Sequence, residues 1–192
     1  MEYFELLDED GKKTGQVKER EAVHRDGDLH GGSHMWIVRA ICPDGDFTVL
    51  LQKSSPHKDS FPGCLDISSA GHVAEGETFL STAIRELEEE LGICVTPDQL
   101  HFLFQDRTGG KYMFHGKLFW NEEIHHVYLV DPSVCLEGLR CQKEEIETVV
   151  WQKASLVADA LSHDDPDYCI DPEEFTRLMQ CVAEYGRKKH GL

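Results

Sequence analysis

Apolar residues recur along this chain with two different periods, and the change of period marks its elements. Leu80, Ala83, Ile84, Leu87 and Leu91 keep helical spacing, so ETFLSTAIRELEEELG reads as an amphipathic helix closed by Gly92. DPEEFTRLMQCVAEYGRKK reads as a second one, with Asp171 as its cap, Pro172 in its first turn and basic residues at its end. Shorter apolar runs between turn signals read as strands. YFELLDEDGKKTGQV gives two around a D-G turn, and MWIVRAIC and FTVLLQK form a hairpin across PDGD. DISSAGHV is a short strand, and HFLFQDR, YMFHGKLFW and HHVYLVD read as three more, the last two paired. VVWQKASLVADALS starts as a strand and ends as a helix, whereas KEREAVHRDGDLHGGSH reads as loop with a little helix and SSPHKDSFPGCL as loop. The sum is an α+β fold, a mixed sheet with helices packed on it, in a single domain over residues 1–192. The N-terminal hairpin and the C-terminal helix are read as extensions of that domain.

The first helix carries an unusual polar face. At about 100° per residue from Glu86, its apolar residues fall between about 60° and 160°. Glu86, Glu89 and Glu90 fall between about −60° and 40°, bordering that stripe, while Glu88 points away near 200°. A solvated charged face is the plain reading. Against it, no lysine or arginine stands at 89, 90, 93 or 94 to relieve the glutamates, and carboxylates late in a helix oppose its dipole. A divalent cation answers both objections, and clustered oxygen donors suit Mg²⁺, Mn²⁺ or Ca²⁺. Upstream, Gly71 lets the backbone approach closely and offers a carbonyl, and Arg85 is placed to pair with Glu77 or Glu89.

Composition narrows the setting. Of 192 residues, 40% are hydrophobic and 29% charged, the balance of a folded globular chain. The formal net charge of −17 argues against nucleic acid as a partner, though not against a small anion at a local site. No apolar run approaches the length of a membrane span, and MEYFELLDEDGKK lacks a signal pattern, so the expectation is a cytoplasmic protein with no membrane partner. Seven cysteines without C-x-x-C spacing read as scattered reduced thiols.

From Gly71 to Ile93 the residues resemble the Nudix box: Gly, any five, Glu, any seven, Arg, Glu, an aliphatic residue, any, Glu, Glu, any, Gly, an aliphatic residue. Gly71, Glu77, Arg85, Glu86, Leu87, Glu89, Glu90, Gly92 and Ile93 all fit. The resemblance implies an α/β/α sandwich around a mixed sheet and Mg²⁺- or Mn²⁺-dependent hydrolysis of a diphosphate in a small-molecule substrate. It implies that Glu86, Glu89 and Glu90 hold the metal, helped by the Gly71 carbonyl, and that Arg85 and Glu77 orient them. The base that deprotonates the attacking water is then Glu89 or a carboxylate from another loop. Glu144 and Glu145 are candidates for the second case, with plain surface charge as the alternative.

A narrower resemblance, over roughly residues 3 to 152, is to the family branch of isopentenyl-diphosphate isomerase. It is carried by AVHRDGDLHGGSHMWIV, LLQKSSPHKDSFPG and DISSAGHV. It implies a second metal held by His24, His30 and His72; ordinary hydrogen-bonding histidines are the alternative. Two departures disfavour isomerase chemistry. Ala70 stands where the isomerase has its catalytic cysteine, and its catalytic glutamate aligns with His125, with Glu123 nearby. Lys53 and Lys58 flank a loop from which they could meet substrate phosphates, or they are surface lysines. Phe61 is either a pocket wall or core, while Trp36 and Trp151 read as core. Besides the hydrolase, an isomerase and a non-catalytic Nudix ligand-binding module remain as readings.

Overall fold

The computed structural model of the chain describes residues 2–42, 45–58 and 60–190. Among these, β1 (Tyr3–Leu7) and β2 (Lys13–Glu19) form an antiparallel hairpin that leads into α1 (Arg20–Asp26). Then follow β3 (His30–Trp36), β4 (Val38–Arg39), β5 (Thr48–Ser54), β6 (Leu65–Asp66), β7 (Ser69–His72) and α2 (Phe79–Leu91). The remainder is β8 (Leu100–Phe114), β9 (Lys117–Val130), β10 (Ile146–Lys153), α3 (Ala154–Ser162) and α4 (Pro172–His190). One sheet has the order β7-β3-β9-β8, with β3 parallel to β9 and the other pairs antiparallel. The second has the order β10-β5-β4, with β6 also pairing β5. Among the described residues no helix is long and apolar enough to cross a membrane.

Strand alternation splits the core into two layers. Met35 and Ile37 face one way and join Ala83, Leu87 and Leu91 of α2. Trp36 and Val38 face the other way and join Val157 of α3 and Phe175, Leu178 and Val182 of α4. Tyr128 and Val130 divide from Val127 and Leu129 of β9 in the same manner. Helices therefore cover both faces of the sheets, the expected sandwich. Trp36 is wholly buried, as read, and Trp151 is half-buried under the Arg39 guanidinium, 3.9 Å above its ring. The C-terminal helix α4 packs Phe175, Leu178 and Val182 into one of these layers.

Three expectations change. YMFHGKLFW is not one strand: it spans the turn between β8 and β9. His115 and Gly116 both take positive φ, 50° and 76°, the conformation a two-residue hairpin turn needs. HFLFQDR and YMF instead belong to one long strand that runs through Gly109 and Gly110. HGGSH is not loop but the start of β3, bonded on both sides by β7 and β9. Two glycines weaken strand propensity, and only pairing with neighbours distant in sequence overrides that. In the PDGD turn, Pro43 and Asp44 lie outside the described residues, as does Asp59 of the SSPHKDSFPGCL loop.

Candidate active site

The glutamate helix is fixed at both ends. Thr78 and Ser81 form a reciprocal capping box, and Gly92 closes the helix at φ 70° with its N–H donating to the Glu88 carbonyl. Leu87, Ala83 and Leu91 are wholly buried, which sets the helix's rotation against the sheet. Glu90 is thereby turned inward and is only 3% exposed. The Glu86 side chain is 13% exposed and that of Glu89 55%, so the three carboxylates step outward from the core.

β7 places Gly71 directly beneath them. A Cβ at that position would stand 2.0 Å from Glu86 Oε1 and 2.4 Å from its Cγ, so only glycine leaves room for the carboxylate. The neighbours on β7 hold Glu90: the Ser69 hydroxyl donates to its Oε2 at 2.7 Å and the Ala70 N–H at 3.3 Å. Burial pushes the Glu90 carboxyl up to about 8, against the pull of the Ser69 hydrogen bond and with help from the charge of Glu86. Burial likewise pushes Glu86 up to about 7, against the attraction of Arg85.

Arg85 binds more carboxylates than expected. Its Nε and Nη2 donate to the two oxygens of Glu77 at 2.8 and 3.0 Å, a bidentate fork. Its Nη1 donates to Glu86 at 2.7 Å and to Glu89 at 2.9 Å. The relief missing on the C-terminal side of the glutamates thus comes from the preceding turn. Glu77 also accepts from the Thr82 hydroxyl and the Ala74 N–H, which pins the loop between β7 and α2.

A cleft of about 340 Å³ opens over this group, lined by Gly71, Arg85, Glu86, Glu89 and Glu90. Lys58 and Glu145 close its far side, with Lys58 Nζ 3.5 Å from the Glu145 carboxylate. Glu144 is not among the lining residues. Lys53 is not among the lining residues either: its ammonium pairs with Glu147 at 2.9 Å, with both side chains exposed, the surface-lysine alternative. Phe61 is a pocket wall, lining a second cleft of about 700 Å³ with its ring edge-on to Tyr112 and Phe114, 4.9 Å from each. The two clefts meet at His34, Ser60, Ala70, His72 and Glu123.

His24, His30 and His72 do converge. Their rings stand 5.0 to 5.1 Å apart, with ligand-capable nitrogens within 4.8 Å of one another. Phe4 stacks on His30 and His72, and Phe119 on His24. Nε2 of His24 and of His30 are buried with no hydrogen-bond partner, which plain hydrogen-bonding histidines would not leave. Burial lowers His24 to about 4 and His72 well below its ordinary value, with neighbouring cationic groups adding to both, so both imidazoles are neutral and have lone pairs to give.

The structure adds Glu123, His34 and Glu174. Glu123 stands 3.7 Å from both His34 and His72. It fits there because a Cβ on Gly32 would fall 1.5 Å from its Oε1. The signal was the HGGSH strand, since alternation puts His30, Gly32 and His34 on one face. His125 is wholly buried and absent from the walls of both clefts.

Comparison with known proteins agrees with this geometry. The NUDIX domain family model matches residues 34–171. Nudix hydrolase 3 of Arabidopsis thaliana is 40% identical over 174 residues, which are 87% of this chain but 21% of that protein. The chain therefore spans about a fifth of that relative's length. An uncharacterized Nudix hydrolase of Clostridium acetobutylicum is 33% identical over 150 residues, 78% of this chain and 68% of that one. An isopentenyl-diphosphate Delta-isomerase of Mycolicibacterium vanbaalenii is 32% identical over 99 residues, 48% of this chain and 52% of the other. The crystal structure of DR0079 from Deinococcus radiodurans shares the fold with a TM-score of 0.56 at 18% identity, covering 84% of this chain and 90% of that one. With the family model matching well over half its length and the box residues gathered at one cleft, this chain belongs to the Nudix hydrolase family.

Proposed function

We propose that this chain hydrolyses the diphosphate linkage of a small nucleoside-, sugar- or prenyl-diphosphate, using Mg²⁺ or Mn²⁺ held by Glu86, Glu89, Glu90 and the Gly71 carbonyl. The observation that carries this is the pair of buried carboxyls, Glu86 and Glu90, around a glycine that leaves room for no side chain. An all-oxygen donor set of this kind suits a hard divalent cation. Such a cation would neutralise charge on the diphosphate and acidify a bound water. The chain's own residues do the rest. Arg85, fixed by Glu77, orients Glu86 and Glu89. Glu89 and Glu145 are the accessible carboxylates able to take a proton from water in the cleft. Lys58 offers a cation for a phosphate oxygen. The second cleft, walled by Phe61, receives the organic moiety. His24, His30 and His72 would hold a second divalent ion through their imidazole nitrogens.

An isomerase lacks its parts here, because Ala70 brings no thiol to the cleft and His125 is buried against α4. A panel of these diphosphates with Mg²⁺ or Mn²⁺ should release a phosphate-bearing product from at least one. Solvent deuterium entering isopentenyl diphosphate without hydrolysis would favour the isomerase. Tight binding without turnover would favour a ligand-binding module.

A pH effect follows from the raised carboxyls. Glu86 and Glu90 bind their protons more tightly folded, at about 7 and about 8, than a carboxyl in the unfolded chain at about 4.3. Their contribution is therefore complete below about pH 4.3 and lost as pH rises through 7 and 8. Chelator-treated protein should be less stable at pH 8.5 than at pH 6, by on the order of 2 kcal/mol. Mg²⁺ should recover the loss at pH 8.5 by binding only the folded chain. Denaturant titrations at the two pH values check this, and a chelated protein that is more stable at pH 8.5 contradicts it.

A further inference from the structure

A second group of ionisable side chains lies on the opposite wall of the junction between the clefts. Glu174 sits in the first turn of α4, only 2% exposed, with its own N–H donating to Asp171. Its carboxylate is fully engaged. Trp36 Nε1 donates to Oε1 at 2.8 Å, His34 Nδ1 meets Oε2 at 2.8 Å, and His125 Nε2 lies 3.2 Å from the same oxygen. Although its ligand atoms are close together, this trio is poorly built for a metal. The His34 and His125 rings are stacked at 3.9 Å and 18°. A metal ion binds in the plane of an imidazole, so two near-parallel rings at that spacing do not share one.

What the arrangement does instead is aim His34. With Nδ1 committed to Glu174, Nε2 points to the junction and lines both clefts. Its nearest carboxylate oxygen, on Glu123, is 3.7 Å away, too far for a hydrogen bond. Six carboxylates line the first cleft, from Glu2, Glu86, Glu89, Glu90, Glu123 and Glu145. An incoming anion therefore needs an unengaged cationic donor. Among the described residues the arginines and lysine lining that cleft are already paired: Arg20 with Glu2, Lys58 with Glu145, and Arg85 with three glutamates. Of these, Lys58 is held loosely, 3.5 Å from its partner, and beside it His34 keeps an Nε2–H with no carboxylate within hydrogen-bond distance.

We infer that His34, clamped by Glu174, is a substrate-binding residue that donates Nε2–H to an anionic phosphoryl oxygen where the two clefts meet. Glu174 is then a positioning residue acting through His34. This rests on the diphosphate reading of the cleft. The charge state supports it. Burial alone would lower His34, but the carboxylates around it, Glu174 first and then Glu123 and Asp66, together outweigh burial and raise the ring to about 9. His72 across the junction is neutral and does not oppose it. The imidazolium also compensates a buried carboxylate that would otherwise be costly to keep ionised.

The test reads binding, not turnover. Histidine-ring nitrogen NMR of ¹⁵N-labelled protein with excess Mg²⁺ should show His34 doubly protonated at pH 7.5. Adding inorganic pyrophosphate should shift Nε2. His34→Gln should raise the pyrophosphate Kd roughly tenfold or more, the worth of one charge-assisted hydrogen bond. Glu174→Gln should weaken binding at pH 8, and its gap to wild type should close at pH 6, where an unclamped imidazole protonates. His34→Gln should show no such recovery, which separates a charge role from a packing one. A singly protonated His34 in the wild type, wild-type affinity in a folded His34→Gln, or no pyrophosphate binding by the wild type would each overturn the inference. Binding through His34 by a protein that hydrolyses no diphosphate would sink the proposed activity and leave this inference standing.

Discussion

Replacing Glu90 or Glu86 by glutamine lowers kcat/KM of the Mg²⁺-dependent reaction by about 10³-fold and leaves the chain folded. The loss corresponds to roughly 4 kcal/mol of transition-state stabilisation, the scale on which a divalent ion acts on a phosphoryl group. The fold survives because glutamine matches the neutral carboxyl in size. Glu90 is 3% exposed and its carboxyl, pushed up to about 8, is largely protonated at neutral pH when no ion is bound. A glutamine there keeps an oxygen to accept from the Ser69 hydroxyl. Unfolding of the metal-free variants should match or exceed wild-type stability at pH 8, because each removes a carboxyl that would otherwise ionise in a buried place. Steady-state kinetics alongside denaturant unfolding check both halves. Undiminished turnover in both variants contradicts the metal assignment, whereas a collapse of stability would show that these carboxylates serve the fold.

The second large effect needs no change to any carboxylate. Gly71→Ala places a methyl group 2.0 Å from Glu86 Oε1 and 2.1 Å from its Cδ. The strand pairing of Gly71 with Ser33 anchors the backbone, so the glutamate side chain must swing away. Glu90 is held separately by Ser69 and Ala70 and stays in place. Losing one oriented donor should weaken Mn²⁺ affinity roughly 10- to 100-fold, comparable with the loss of a residue that orients a metal ligand. Thermal stability of the metal-free protein should change little. Calorimetric titration of Mn²⁺ into wild type and variant measures the gap, and equal affinities would remove Gly71 from the site.

The parts of this site that sequence alone reveals are those built by local geometry. Helical periodicity sets Glu88 apart from the other three glutamates, and the structure keeps that division: Glu86, Glu89 and Glu90 line the cleft and Glu88 does not. Gly92 and Asp171 end and start their helices as their chemistry requires. What stayed hidden depends on partners far along the chain. HGGSH becomes a strand only between β7 and β9, and His34 meets Glu174 across 140 residues. Lys53 and Lys58 look alike in the sequence, yet one lies against Glu147 in solvent and the other faces the cleft. The long β8–β9 hairpin was obscured by glycines that usually break strands, and here they are carried by continuous pairing on one side.

The most direct test is a crystal of the wild-type protein soaked in Mn²⁺ and recorded near the manganese edge. The expected result is an anomalous peak among the carboxylates of Glu86, Glu89 and Glu90 and the Gly71 carbonyl, absent from Glu90→Gln crystals treated alike. Crystals of folded protein with no peak among these four groups, or with one unchanged in the variant, would contradict it.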